Sequence, residues 1–267
     1  MRHSLEQPAK DHKKRKRIQM SESNAVMIAL TASGGLQDAY SYFVRGKVFA
    51  NAQTGNLVLM AQHLSTGDVT GALHYLIPLS AFALGVLVAE QVRARIHTEG
   101  MIHWRQVIVL LQILMLLIVG LLPINDIVNV FANALTSMAC AMQVQAFRKV
   151  NGYAYASTMC IGNLRSGRDA FSAYLRTKEK KHLQRCRQYF LVILVFVLGA
   201  GAGGFLASYF GNGSTLSGSK IIWISCALLI VSFLLMLARE QEKIEQVTEQ
   251  DEIREIKELK EKFKNTL

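Results

Sequence analysis

Charge is the first scarcity. Only 18 % of the 267 residues are Asp, Glu, Lys or Arg, against about 25 % in a soluble domain. The deficit is local. Residues 189–210 and 221–238 hold no charged side chain, and 107–122 is interrupted only by Gln112 and Gly120. Runs of this length reach the roughly 20 residues that cross a 30 Å hydrocarbon core, so soluble folds are excluded. Cysteine is equally sparse: Cys140, Cys160, Cys186 and Cys226 fall in no paired or metal-binding spacing and read as small core residues. His63, His74, His97 and His103 form no i,i+4 pair and no His-Glu-x-x-His, and Gly-Lys-Ser/Thr is missing. Metal, hydrolytic and phosphate-loop chemistry therefore have no support, and neither an enzyme nor a cofactor is expected. A secretory signal is lacking too. The first apolar stretch, from about Asn24, is too long for one and carries no small-residue cleavage site.

What charge there is lies at the ends. The net charge is +11. Residues 1–23 carry seven basic side chains, including Lys13-Lys14-Arg15-Lys16-Arg17, and 239–267 carries seven basic and nine acidic ones. Next to membrane spans, the basic run reads as a cytoplasmic tail drawn to anionic lipid headgroups rather than as a nucleic-acid surface. Residues 239–267 place Ile244, Val247, Ile253, Ile256, Leu259 and Phe263 at mostly helical spacings, with pairs such as Glu258–Lys262 in support, and read as a charged cytoplasmic helix.

Between the tails lie eight apolar segments: 25–44, 48–64, 75–93, 106–122, 127–147, 153–164, 188–209 and 220–238. They divide into two groups of four, 24–125 and 126–238. The second repeats the first: Leu36-Gln37 matches Met142-Gln143, and Gly55-Asn56-Leu57 matches Gly162-Asn163-Leu164, with a one-residue gap between the matches. Trp104 and Trp223 stand at the entrances of 106–122 and 220–238, as interfacial aromatics do. Two segments are weak, because 48–64 is broken by Asn51, Gln53, Thr54, Gly55 and Asn56 and 153–164 is too short to cross.

Charge decides how to treat them. If both weak segments dip into the membrane and return, the N-terminal tail, the 93–105 loop and the strongly basic 165–187 stretch share the cytoplasmic side. The 123–126 and 210–219 loops, free of Lys and Arg, then lie outside. The expected architecture is an all-α membrane protein of six transmembrane helices plus two re-entrant half-helix segments, in an inverted duplication. Eight spans in a parallel repeat is the alternative.

Polar residues inside spans mark the candidate site. Segment 25–44 places Ser33, Gly34, Gln37, Asp38 and Ser41 on one broad sector. An intramembrane acid is costly, so Asp38 reads either as a coupling carboxylate or as a hydrogen-bonded packing group. In 127–147, Asn129, Asn133, Thr136, Cys140 and Gln143 recur at spacings 4, 3, 4, 3, as a cavity wall or as helix–helix glue. The Gly-Asn breaks predict half-helices whose positive N-terminal ends face the interior, with Gly55 in a sharply turned conformation. Asp38, Gln37, Asn51, Thr54, Gly55, Asn56, Asn133, Thr136, Gln143, Gly162 and Asn163 are thus the candidate substrate- or ion-binding residues. The reading is secondary transport of a small polar or ionic solute; a non-transporting accessory or lipid-interacting protein is the alternative. The Gly-x-x-x-Gly spacing of Gly199 and Gly203 reads as close packing inside the bundle, with a homodimer seam as the other choice.

Gly34-Gly35-Leu36-Gln37-Asp38-Ala39-Tyr40-Ser41-Tyr42, followed by Val48-Phe49-Ala50-Asn51 and Thr54-Gly55-Asn56-Leu57, resembles the YoaK-like family of multi-pass bacterial membrane proteins of unknown function. The resemblance runs over roughly 24–238 and implies a bacterial cytoplasmic membrane, without an assigned reaction. The second half departs from the first, with Val144 at the Asp38 position and Ile161 at the Thr54 position.

Overall fold

The computed structural model describes residues 23–96, 103–210 and 218–238. The basic tail, the C-terminal charged segment and His97 lie outside them. The described chain is all-α apart from one small hairpin. Its helices are α1 (Asn24–Val44), α2 (Gln53–Ser65), α3 (Val69–Arg95), α4 (Trp104–Leu121) and α5 (Asp126–Ala146), followed by α6 (Cys160–Thr177) and α7 (Lys180–Phe210). α8 (Ile222–Ala238) is the last described helix. By length and composition α3, α4, α5 and α7 can each cross a membrane, and the protein is membrane-embedded.

Helices that start at the ends of the bundle are capped by their own flanking side chains. Ser23, Asp68 and Asn125 accept from Val26, Gly71 and Val128 N–H, and His103 forms a capping box with Gln106. α2 and α6 follow Ala52 and Met159 and have no such side-chain cap. They start in the interior.

The contacts give the path. α1 runs from a basic end, where Asn24 Oδ1 accepts from Asn151 Nδ2 at 2.7 Å, to an opposite end where Arg45 meets Pro123 O at 2.6 Å. There the chain turns through Gly46 (φ 90°) and Lys47 (φ 60°) and doubles back along α1, Phe49 stacking on Tyr42 with ring centroids 4.6 Å apart. It reaches Asn51, whose Nδ2 donates to Gly34 O at 3.2 Å. Gly34 is ten residues short of the helix end, or about 15 Å at 1.5 Å per residue. α2 then climbs back: its His63 ring lies 5.6 Å from Tyr75, and His74 at the start of α3 sits 2.9 Å from Gly46 O. The first weak segment therefore enters and leaves at the same end.

The second half takes this path in the opposite direction. α5 descends from Arg45 to the basic end, where Arg105 Nε donates to Ala146 O at 3.0 Å. The chain then returns inward to Ser157 and Thr158, which reach Gln143 and Gly34. α6 leads back to the basic end and α7 rises beside α1. The first helix of each half packs on the third helix of the other: α1 on α7 and α5 on α3. Gly35 and Gly199 allow the α1–α7 approach, since a Cβ on either would lie 2.2 Å from a backbone carbonyl, of Phe196 or Ala32. Gly203 faces Ala39 and Leu36 in the same seam. The Gly199–Gly203 spacing thus serves packing within the chain; a homodimer would need another face.

Three local expectations need correction. Residues 153–164 do not form the second short segment; α6 starts at Cys160 and continues through Arg165, Arg168 and Arg176 of the stretch expected to be a basic loop. Arg is a good helix former, and Gly167 and Ala170 bury a face there. α7 begins at Lys180, earlier than 188, because its first turns carry Cys186, Gln188 and Tyr189 into the core. A two-residue antiparallel ladder also interrupts the all-α pattern, pairing Lys149 with Ala154 and Val150 with Tyr153. Asn151-Gly152, both at positive φ, make the two-residue turn that matches strand twist.

Candidate functional site

The two inward tips meet on one glycine. Gly34 takes Asn51 Nδ2 on its carbonyl, and a Cβ added to it would lie 2.4 Å from Thr158 Cγ2. Asn51 and Thr158 stand 107 residues apart, as Asn56 and Asn163 do. The last pair are built alike. Asn56 Nδ2 donates to Phe49 O at 2.7 Å and its Oδ1 accepts from Phe49 N at 3.0 Å. Asn163 makes the same two bonds to Ala156, at 2.6 and 3.4 Å. A buried amide closes each extended strand onto its own half-helix, satisfying backbone groups that hydrocarbon would leave unpaired.

Asp38 lies one turn beyond Gly34 on α1 and is 7 % exposed. One carboxylate oxygen accepts from Asn51 N at 2.7 Å; Ala52 N–H and the Asn51 amide also face the carboxylate, while Ala50 N donates to Ser41 Oγ at 3.1 Å. These donors are the approach to the first turn of α2. Asp38 thus holds, from a neighbouring helix, the segment that leads into α2, near the positive end of the helix dipole. No cationic side chain pairs with it among the described residues. Cys140 and Cys160, from α5 and α6, are the thiols nearest its charge.

Around this centre runs a buried polar network. Gln37 Nε2 donates to Ser33 Oγ at 2.8 Å and Ser225 Oγ at 2.9 Å, while its Oε1 accepts from Cys140 at 2.8 Å. Gln143 Nε2 donates to Leu30 O and Ser157 Oγ, both at 3.0 Å, and its Oε1 accepts from Gln112 at 2.9 Å. Each Gln therefore ties its own helix to the first helix of the other half and to a fourth helix, α8 or α4. Asn51 Oδ1 and Gln112 Oε1 are buried acceptors with no partner among the described residues.

The structure thus brings Asp38, Gln37, Asn51 and Gln143 to one level, with Asn56 and Asn163 fastening the segments beside it. Other predicted residues lie elsewhere. Asn133 Nδ2 donates to Arg45 O at 2.7 Å, nearer the far end, and Thr136 bonds its own helix at Ala132 O. Thr54 and Gly162 face outward and Gly55 is half-buried. Gly55 and Gly162 both occupy regular helix, outside the positive-φ set. The turned conformation expected at Gly55 sits instead at Gly46-Lys47, because the chain must reverse before it descends, and the half-helix then starts without strain.

Arg45 went unread in the sequence. It is fully buried, and its five donors go to Tyr40 Oη, Asn129 Oδ1 and the carbonyls of Val119, Leu122 and Pro123. The cation closes the C-terminal end of α4. Nothing in its flanking residues separates it from a solvated terminal arginine. Thr158 was legible, since extending the Asn56–Asn163 register by five residues pairs it with Asn51.

No curated protein and no solved structure matches the chain. One family model does, over residues 26–235, described as Protein of unknown function (DUF1275). It takes in both halves of the bundle, the two inward tips and every residue of the network around Asp38, and the chain belongs to that family.

Proposed function

We propose that the protein is a secondary transporter of a small polar or ionic solute, with Asp38 as the coupling group. The observation that carries this is the meeting of two inward tips at Gly34, next to the buried acid on α1. Discontinuous helices whose free ends meet in the interior, in two halves of opposite direction, are how inverted-repeat transporters build polar sites near the bilayer midplane. Irregular backbone at that depth is tolerated only where protein or a cavity encloses it.

The setting we infer is a bacterial cytoplasmic membrane, as in the YoaK-like family that the chain resembles, with both termini cytoplasmic. Arg93, Arg105, Arg148 and Arg185 gather at the end where α1 starts, which supports that orientation under the positive-inside rule. The basic tail would then meet anionic headgroups. A non-transporting accessory role is the second reading, favoured by the buried stripe of α5, whose side chains are largely engaged in bonds between helices.

A solute-uptake and growth screen on a strain lacking the gene, complemented with wild type or Asp38→Asn, tests the proposal. Gradient-driven accumulation of one solute class that needs wild-type protein supports it. Growth and uptake unchanged for every class, together with a lost membrane complex, would instead establish the accessory role.

A further inference from the structure

We propose that the coupling ion is a proton, carried by Asp38, and that its binding releases the first inward tip from α1. This rests on the transport reading and names the ion that the same site would use. The surroundings of the carboxylate are donors: Asn51 N–H at 2.7 Å, Ala52 N–H and the Asn51 amide. A hard metal cation needs a shell of six or more oxygens, whereas this arrangement turns hydrogens toward the acid. Among the described residues no group of three or more His, Cys, Asp and Glu side chains is placed to hold a metal ion.

A proton needs one acceptor besides its carrier, and one is present. Asn51 Oδ1 is buried without a partner, on the same amide whose nitrogen faces Asp38 and Gly34. A neutral Asp38 gains an O–H that this oxygen would accept once the amide turns over, and loses the charge that holds Asn51 N–H. The latch at Asn51 is a carboxylate latch, weakened when the charge goes, whereas Ala50 N–H stays on Ser41 Oγ at 3.1 Å. Titratable groups near the carboxylate are few: Cys140 from α5 and Cys160 from α6; on α1 itself Tyr40 and Arg45 pair with each other at 2.7 Å. α7 over residues 196–207 and α4 beyond Arg105 contribute none, and α8 contributes only Cys226.

Amide hydrogen exchange on the purified full-length protein in lipid nanodiscs reads the latch directly. After correction for intrinsic rates, exchange at Asn51 should rise at least about tenfold from neutral to mildly acidic pH, the factor a charge-assisted hydrogen bond carries, and by more than at Ala50, whose N–H is held by Ser41 Oγ. Sodium at constant pH should leave it unchanged. Asp38→Asn should exchange fast at every pH; if that variant does not fold, the wild-type comparison with and without sodium decides. Exchange that stays level across pH, or that answers to sodium, overturns the proposal. The readout needs no solute. A pH-dependent latch in a protein that moves nothing would end the transport reading and leave the proton site. A level latch in a protein that accumulates a solute would end the proton site alone.

Discussion

Residues 45–52 and 147–159 both leave a long helix, turn through two left-handed residues and reach Gly34, yet they are fastened there by different chemistry. The first is held at its tip by a charge, the Asp38 carboxylate on Asn51 N–H before α2. The second folds a hairpin on the way, tied down by Tyr189 Oη to Ala154 O at 2.8 Å, and is held at its tip by neutral partners, Ser157 to Gln143. Val144 stands where a second acid would be. The two halves therefore share the path and the Asn56 and Asn163 staples, while only the first has an acid at the position that Asp38 and Val144 occupy. Two halves that support each other mechanically can differ in which one carries the chemistry.

The comparison breaks most visibly at Asp38. Asp38→Leu leaves buried N–H groups before α2 unpaired and should cost roughly 3 kcal/mol or more, seen as lost thermal stability of the purified protein, whereas Val144→Leu should cost far less. Next come the staples. Asn56→Ala and Asn163→Ala each orphan a backbone N–H and C=O and should destabilise by similar amounts, about 1–3 kcal/mol. Unequal losses would mean that the matching geometry is not matched in energy.

Smaller still are the glycines. Gly162→Ala meets nothing within 4 Å and should stabilise by up to about 1 kcal/mol, the preference of a helix for Ala. In Gly55→Ala the new methyl sits 3.1 Å from Phe49 Cδ2, so part of that gain is spent moving the ring. The smallest effect is at the turn before α3. Asp68 caps Gly71 N–H and meets His63 Nδ1 at 2.8 Å, and these hold its carboxyl below the ordinary carboxylate range. A depressed folded value means that its stabilisation is present above the unfolded value and fades as pH falls through the folded one. Acidification should therefore lower the melting temperature slightly less in Asp68→Asn than in wild type.

Much of this was legible in the sequence because membranes constrain it. Hydropathy marked the long helices, the Gly-Asn pair marked the breaks, and the charge bias argued that both breaks turn back. Asn151-Gly152 was the strongest local hairpin signal in the chain, obscured by treating 153–164 as apolar. The partners of Asp38 were not legible. A carboxylate bonded to a backbone N–H thirteen residues away across a reversed segment leaves no periodicity, since the contact depends on where the turn at Gly46 sends the chain. The reversal itself has an independent check: single cysteines at positions 97 and 180 should be shielded from an impermeant thiol reagent in intact cells, while one at 215 should label.

If the charge on Asp38 couples the gradient to the solute, as proposed, removing it should separate accumulation from exchange. Asp38→Asn keeps shape and some hydrogen bonding, so the protein should insert and fold. The decisive measurement is accumulation against exchange in vesicles, using the solute that the uptake screen identifies. Asp38→Asn should abolish gradient-driven accumulation while exchange of solute across the membrane persists. Accumulation by the variant at the wild-type level would contradict it.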